Sequence, residues 1–109
     1  MRSAKILFKN KDAGILTQHD DGTFTFQYNI PWVEDPRKPP ISLGLPKQKE
    51  PYHSEFLFPF FFNMLPEGSN KQVICQLNHI DTDDYFGLLM VTAKNDAIGA
   101  VRVQKISDI

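Results

Sequence analysis

A histidine followed closely by three aspartates is the first group of residues in this sequence that could carry chemistry. His79 precedes Asp81, Asp83 and Asp84, and imidazole and carboxylate groups are ligands that divalent metals accept. Aspartates are equally favoured at the start of a helix, where they lie near the positive end of its dipole. Because the sequence holds no second cluster of ligands, we interpret this group as a helix start and expect no metal.

The second group pairs the single cysteine with a histidine. Cys75 could act as a nucleophile with His19, His53 or His79 as its base. It lies, however, in a segment of helical periodicity, where a lone cysteine is usually a small packing residue. Such a pair also needs a third, orienting group and an oxyanion site, and the sequence indicates neither. We therefore predict no catalytic residue.

Nucleotide-binding motifs are the third kind of chemistry to consider. The sequence contains no GxxxxGK[ST] motif, no GxGxxG after a predicted strand, and no HRD or DFG element. We expect that the chain is not itself a kinase, that it is not an enzyme, and that it uses no cofactor.

Length, charge and composition limit the remaining classes. The 109 residues suit one domain, and a net charge of -1 with scattered Lys and Arg argues against direct binding of nucleic acid. The longest apolar run, residues 56–62, contains Pro59 and is far shorter than the roughly 20 residues of a membrane-spanning helix. With one cysteine and no segment resembling a signal peptide, we predict a cytoplasmic protein without membrane contact.

The hydrophobic pattern predicts an α+β fold, with a small antiparallel sheet or partly closed barrel of about five strands and two or three helices packed on it. We expect a single domain over residues 1–109. Alternating side chains predict strands, and helical spacing or capping residues predict helices. The predicted strands are residues 3–9, 15–17, 23–28, 41–45 and 97–106, the last with a bulge at Gly99. The predicted helices begin near Ser54, or one turn later with Pro59 near the first helical position, at Ser69 and at Thr82. Four prolines in residues 30–40 predict a loop there, and residues 47–53 read as polar and open.

The segment FLFPFFFNMLPEG, residues 56–68, is apolar at nearly every position before its polar end. Its Phe residues should form much of the core, but a helix that is apolar on every side must also be covered on every side. One small sheet cannot cover it, so we expect part of the surface to meet a partner protein. We predict that the partner-binding residues lie at the end of this segment and in the proline-rich loop: Met64, Leu65, Pro66, Glu67, Gly68 and Trp32. For Trp32, folding back on the core is an equal alternative.

Several short motifs in a fixed order resemble the N-terminal subdomain of the HipA-like serine/threonine kinase toxins. They are SLGLP at residues 42–46, PFFFNMLPEG at 59–68, DDYFGLL at 83–89 and IGAVRV at 98–103. In those kinases the chain continues into a second N-terminal segment and a helical kinase lobe. A free-standing copy is similar to HipS antitoxins of tripartite HipBST toxin–antitoxin systems. That resemblance implies a protein that supplies the subdomain to a HipT-like kinase toxin and holds it inactive, in a complex with a HipB-like DNA-binding protein.

Two other functions remain open at this point. The chain could be an excised, non-catalytic subdomain of a full-length HipA-like kinase. It could also be a small hydrolase or metabolite-binding protein that uses His79 and the aspartates that follow it, Asp81, Asp83 and Asp84. The way in which an antitoxin of this kind would inhibit is open as well, since it could block ATP, block the protein substrate or hold the glycine-rich loop of the kinase inactive.

Overall fold

A computed structural model of the chain describes residues 1–92 and 100–106. In this part of the chain five strands form one open antiparallel sheet in the order β4-β3-β2-β1-β5. The strands are β1 Arg2–Phe8, β2 Lys11–Gln18, β3 Phe24–Tyr28, β4 Tyr52–Ser54 and β5 Val101–Lys105. The predicted α+β class with about five antiparallel strands is confirmed, and the sheet is open, not a partly closed barrel.

Within the described residues four helices pack on the sheet, where two or three were predicted. They are α1 Ile30–Glu34, α2 Pro59–Phe62, α3 Gly68–Leu77 and α4 Tyr85–Thr92. In residues 1–92 and 100–106, no helix is both long enough and apolar enough to span a membrane.

Alternation along the strands decides which face of the sheet is covered. Ile6, Leu16, Phe26 and Val103 come from four different strands, point to one face and are all 0% exposed. Removing each such side chain from water stabilises the fold by about 1.5–3 kcal/mol. On the opposite face lie mostly polar side chains and Ile15, which is 40% exposed. The helices therefore all pack on the same apolar face of the sheet.

The phenylalanine-rich run fills this core only in part. Phe61 of α2 is fully buried, and its ring centroid lies 5.8 Å from that of Phe26. The helix does not begin near Ser54, which is a correction of the first prediction; the alternative start one turn later is confirmed, because α2 is a single turn that begins at Pro59. Proline is tolerated in a first turn, where its missing N–H has no helical partner. Phe56, which would have been helical, is 76% exposed instead.

The proline-rich segment was predicted to lack a helix, and this is wrong for its first residues. α1 begins at Ile30 with Pro31 in its first turn, the same tolerated position as in α2. The helix is short and turns Trp32 toward the sheet, where the side chain is 4% exposed.

The strand predicted at residues 41–45 is a turn, closed by one isolated bridge between Ser42 and Leu45. A side chain holds it to the sheet, since the Tyr28 hydroxyl accepts a hydrogen bond from the Ile41 N–H at 3.0 Å and donates to the Leu45 carbonyl. The fourth strand is formed instead by residues 52–54, in a stretch predicted to be open, which pair with β3.

The predicted helix caps are also corrected. Ser69 does not cap α3: the residue before the helix is Glu67, and no side chain caps it. α4 starts after Asp84, not after Thr82, and the Asp84 Oδ1 accepts the Gly87 N–H at 3.0 Å. The strand predicted at 97–106 is confirmed for residues 101–105, while the bulge predicted at Gly99 lies outside the described residues.

Candidate functional site

The segment predicted to bind a partner, residues 64–68, is anchored at one end and exposed at the other. The N–H groups of Met64 and Leu65 each donate to a carbonyl of α2 at 3.1 Å, and both side chains pack half-buried against the core. Pro66 is half-buried, whereas Glu67 and Gly68 are exposed. Gly68 has a φ of +60°, a conformation in which a residue without Cβ is unstrained. The segment is therefore held in a defined place on the surface.

Three residues from outside the segment join it to form one surface. The ring of Phe62, which is 47% exposed, meets the edge of Tyr85 with centroids 5.5 Å apart. The Lys71 Nζ lies 5.0 Å from the Tyr85 ring centroid. A shallow depression of about 190 Å³ is lined by what we call the tip surface: Phe62, Leu65, Pro66, Glu67, Gly68, Lys71 and Tyr85.

Sequence reasoning had missed Phe62, Lys71 and Tyr85 as members of this surface. Phe62 was one phenylalanine among several in an apolar run, and Lys71 and Tyr85 were given no role in partner binding. The tyrosine in the DDYFGLL motif was the available signal.

The outer side of α3 carries exposed apolar residues. Val73 and Leu77, one turn apart, are 52% and 74% exposed, whereas Cys75 is 2% exposed and faces inward. The helix therefore leaves part of its apolar side in solvent, at Val73 and Leu77, while Ile74 is half-buried. Apolar side chains in this position add to the surface that a protein partner could cover.

The sequence left open whether Trp32 contacts a partner or folds back on the core, and in the structure it folds back on the core. Its Nε1 donates to the Pro39 carbonyl at 2.9 Å, and its ring meets that of Phe8 at a centroid distance of 5.8 Å. With the side chain 4% exposed, Trp32 is not placed to be a direct contact, and we do not include it in the tip surface.

The aspartates after His79 make local and structural contacts. The Asp81 Oδ1 accepts the N–H of Asp83 at 2.9 Å, which shapes the turn before α4. Among residues 1–92 and 100–106, no three side chains of His, Cys, Asp or Glu are grouped as metal ligands.

Asp84 forms an ion pair that the sequence did not indicate. The Nη1 and Nη2 atoms of Arg2 donate to its two carboxylate oxygens at 3.0 and 2.6 Å, and the guanidinium lies 5.1 Å from the ring centroid of Phe86. The hydrogen bonds from Arg2 and from the Gly87 N–H lower the pKa of Asp84 against the opposing effect of its partial burial. This contact ties the start of α4 to β1, and such a pairing between distant residues leaves no local pattern in the sequence.

Comparison with known proteins finds relatives of clear similarity. A protein of Haemophilus influenzae that carries no functional name is 34% identical over 105 residues, which are 96% of this chain and 93% of the relative. Two proteins of Sinorhizobium fredii, named "Putative kinase Y4mE" and "Putative kinase Y4dM", are 32% and 31% identical. The matches cover 82% and 81% of this chain but 21% and 23% of those relatives, so the chain spans about a fifth of their length.

The same relationship holds for the three-dimensional structure. A solved structure described as the N-terminal domain of HipA toxin matches with a TM-score of 0.71 and 28% identity, over 100% of this chain and 96% of that one. The family model for the HipA N-terminal domain matches residues 4–104. These residues include all of the described strands and helices except the first two and last residues of the sheet, and the chain therefore belongs to the HipA N-terminal domain family.

Proposed function

We propose that this protein is an antitoxin that binds a HipA- or HipT-like serine/threonine kinase toxin and inhibits it by direct protein–protein contact. The observation that carries the proposal is the share of each relative that is matched. The family domain makes up about a fifth of two kinase-named chains but 93% of the short Haemophilus relative. A domain that occurs both inside kinase-named chains and nearly alone is suited to act on a kinase from outside.

The tip surface is the contact that we propose for the kinase. It combines the exposed Phe62 ring and the Tyr85 ring with the charged groups of Glu67 and Lys71. Aromatic anchors surrounded by polar groups are typical of the residues that dominate binding energy in protein interfaces. Because Met64 and Leu65 anchor the segment on the core, little ordering of the chain would be needed on binding.

The remaining parts of the assembly follow from the family resemblance. We propose that the complex also contains a HipB-like DNA-binding protein and forms in the cytoplasm. This chain then needs no extended contact with DNA, which agrees with its pI of about 6.3. We further propose that it has no catalytic activity of its own.

The test is growth of cells that express the cognate kinase toxin with and without this protein, together with a pull-down of the two proteins. The variants Phe62→Ser and Glu67→Lys change exposed parts of the tip surface, whereas Met64 is left intact because it packs on the core. Phe56→Ser is the matched control, since that ring is 76% exposed and does not line the tip surface. We expect rescue by the wild type and by Phe56→Ser, and dissociation constants raised about tenfold or more by Phe62→Ser.

Each outcome decides a different part of the proposal. Absence of both rescue and binding would remove the antitoxin function. Binding without rescue would retain the kinase as a partner and reject inhibition. Rescue that is equally strong for all variants, with circular dichroism showing that each is folded, would retain the antitoxin and refute the tip surface.

A second candidate function is that of a non-catalytic subdomain inside a longer HipA-like kinase. The two kinase-named relatives favour it, because the family domain is only a part of each. The deciding measurement is the mass of the natural protein in its own cells. A mass near 12.5 kDa supports the antitoxin, and a mass several times larger supports the subdomain.

A further inference from the structure

A basic pocket lies between the β1–β2 turn and the loop that follows α1, and it shares no lining residue with the tip surface. Its volume is about 330 Å³. It is lined by two aromatic residues, four basic residues and one proline: Phe8, Trp32, Lys9, Lys11, Arg37, Lys38 and Pro39. None of the described residues that line it is acidic, although the chain as a whole has a net charge of -1.

Two turns bring these basic residues together. Lys9 and Asn10 have φ values of 51° and 66°, and this tight turn places Lys9 and Lys11 at the same end of the hairpin. On the other side, the Lys38 N–H donates to the Asp35 carbonyl at 3.0 Å, which folds the loop back toward the hairpin. The clustering is thus a result of the fold, since the two pairs of cations are far apart in the sequence.

The aromatic rings form the floor of the pocket and hold two of the ammonium groups at its rim. The Lys38 Nζ lies 5.3 Å from the ring centroid of Trp32, and the Lys9 Nζ lies 5.8 Å from that of Phe8. Cation–π contacts of this kind favour the charged amines at these positions. The ammonium groups then remain available to an anion that enters from solvent.

The positive charge in the pocket is only partly balanced. Asp35 pairs with the Arg37 Nε at 3.2 Å, and within residues 1–92 and 100–106 the three lysines of the pocket form no ion pair of this kind. Lys11 and Lys38 line the same pocket, and the proximity of Lys11, followed by desolvation, lowers the pKa of Lys38 against the opposing effect of Asp35. Two ammonium groups held together repel each other, and an anion between them would relieve that repulsion.

We propose that the basic pocket binds a phosphate group. A phosphate monoester carries a charge of about -1.5 to -2 near neutral pH and three acceptor oxygens, so it can bridge two ammonium groups, whereas a carboxylate brings one charge. The group could be carried by a phosphorylated serine of a protein or by a free nucleotide, which share this chemistry. The proposal does not rest on the antitoxin function, because it uses neither the tip surface nor a kinase.

Trp32 makes the test direct, because it is the only tryptophan in the chain and forms the floor of the pocket. Its fluorescence is recorded during titration of the whole protein with inorganic phosphate, a phosphoserine peptide, ATP, and sodium chloride at matched ionic strength. We expect a saturable change with the phosphate compounds and none with chloride. Whichever of the phosphoserine peptide and ATP binds more tightly identifies whether the phosphate comes from a protein or from a nucleotide.

The variant Lys11→Gln/Lys38→Gln tests the assignment of the site, with Lys105→Gln as a control that removes one exposed lysine from β5. Because Lys38 lies over the indole, affinities of the variants are measured by calorimetry. Each charged hydrogen bond lost should weaken binding about tenfold, so we expect at least that loss for the double variant and little change for the control.

Three results would overturn the proposal. One is the absence of saturable binding of any phosphate compound by the folded wild type. Another is an equal loss of affinity in Lys105→Gln and in the double variant. The third is binding of duplex DNA that is much tighter than binding of the phosphate compounds, with an affinity that falls with salt as steeply as contacts to several phosphates require. The lysines would then belong to a nucleic-acid surface.

Discussion

Replacing Tyr28 with phenylalanine should lower the unfolding free energy by more than the loss of a single hydrogen bond does, because its hydroxyl makes two. The hydroxyl accepts from the Ile41 N–H and donates to the Leu45 carbonyl, and the tyrosine is 1% exposed. Tyr28→Phe leaves both backbone groups without this partner, at about 1–3 kcal/mol for each buried group. Since Leu43 at the apex of the turn is 96% exposed, the turn can partly reach water, and we expect a total loss of about 2 kcal/mol.

The assay is urea-induced unfolding, with Tyr52→Phe as a matched control. The Tyr52 hydroxyl donates to one exposed partner, the Pro46 carbonyl, at 2.6 Å, and we expect its loss to cost at most about 0.5 kcal/mol. The midpoint of thermal unfolding should fall on the order of 10 °C for Tyr28→Phe. Equal unfolding free energies for the two variants would refute the role assigned to the Tyr28 hydroxyl.

Ionisation of the Tyr28 hydroxyl should lower the unfolding free energy at high pH. Burial raises the pKa of Tyr28 from 10.0 to about 12, so the folded state favours the neutral hydroxyl. Its contribution is therefore complete below pH 10 and is lost as the pH rises through about 12. Unfolding free energies measured across this window should fall more steeply for the wild type than for Tyr28→Phe, and parallel curves would contradict the assignment.

Two further predictions concern the packing of α4 and of the sheet. Asp84→Asn should lower the unfolding free energy by about 1–2 kcal/mol at neutral pH by weakening the pair with Arg2. Because the pKa of Asp84 is lowered from 3.8 in the fold, the difference in unfolding free energy between wild type and variant should shrink as the pH falls below 3.8. A difference that stays constant in acid would count against the ion pair. Gly14→Ala should cost about 2–3 kcal/mol, because the new Cβ would lie 2.5 Å from the Gln27 carbonyl oxygen. Gly44→Ala is its control, because the new Cβ would meet only the Ser42 Oγ at an ordinary contact distance of 3.8 Å. Similar thermal midpoints for these two variants would refute the close approach.

Local pattern was sufficient for the parts of the fold that a single segment decides. The alternation in β1, β3 and β5 predicted those strands, because side-chain direction reverses at each residue of a strand. It was misleading where sheet pairing depends on distant residues. Residues 41–45 alternate but are closed into a turn by the Tyr28 hydroxyl, whereas β4 has a polar sequence and is a strand because β3 is beside it.

For the candidate site, the sequence determined which segment ends the apolar run, and its resemblance to the HipA family indicated a kinase as the partner. The composition by itself also required that some apolar surface remain uncovered, because one open sheet cannot bury every phenylalanine of residues 56–62. Only the tertiary structure decided which side chains are left outside. It exposes Phe62 beside Tyr85 and buries Trp32 on Phe8, since burial depends on the neighbours that the chain brings from elsewhere. The gathering of Lys11 and Lys38 in one pocket has the same physical reason: charge interacts over distances in space, and the fold alone sets those distances.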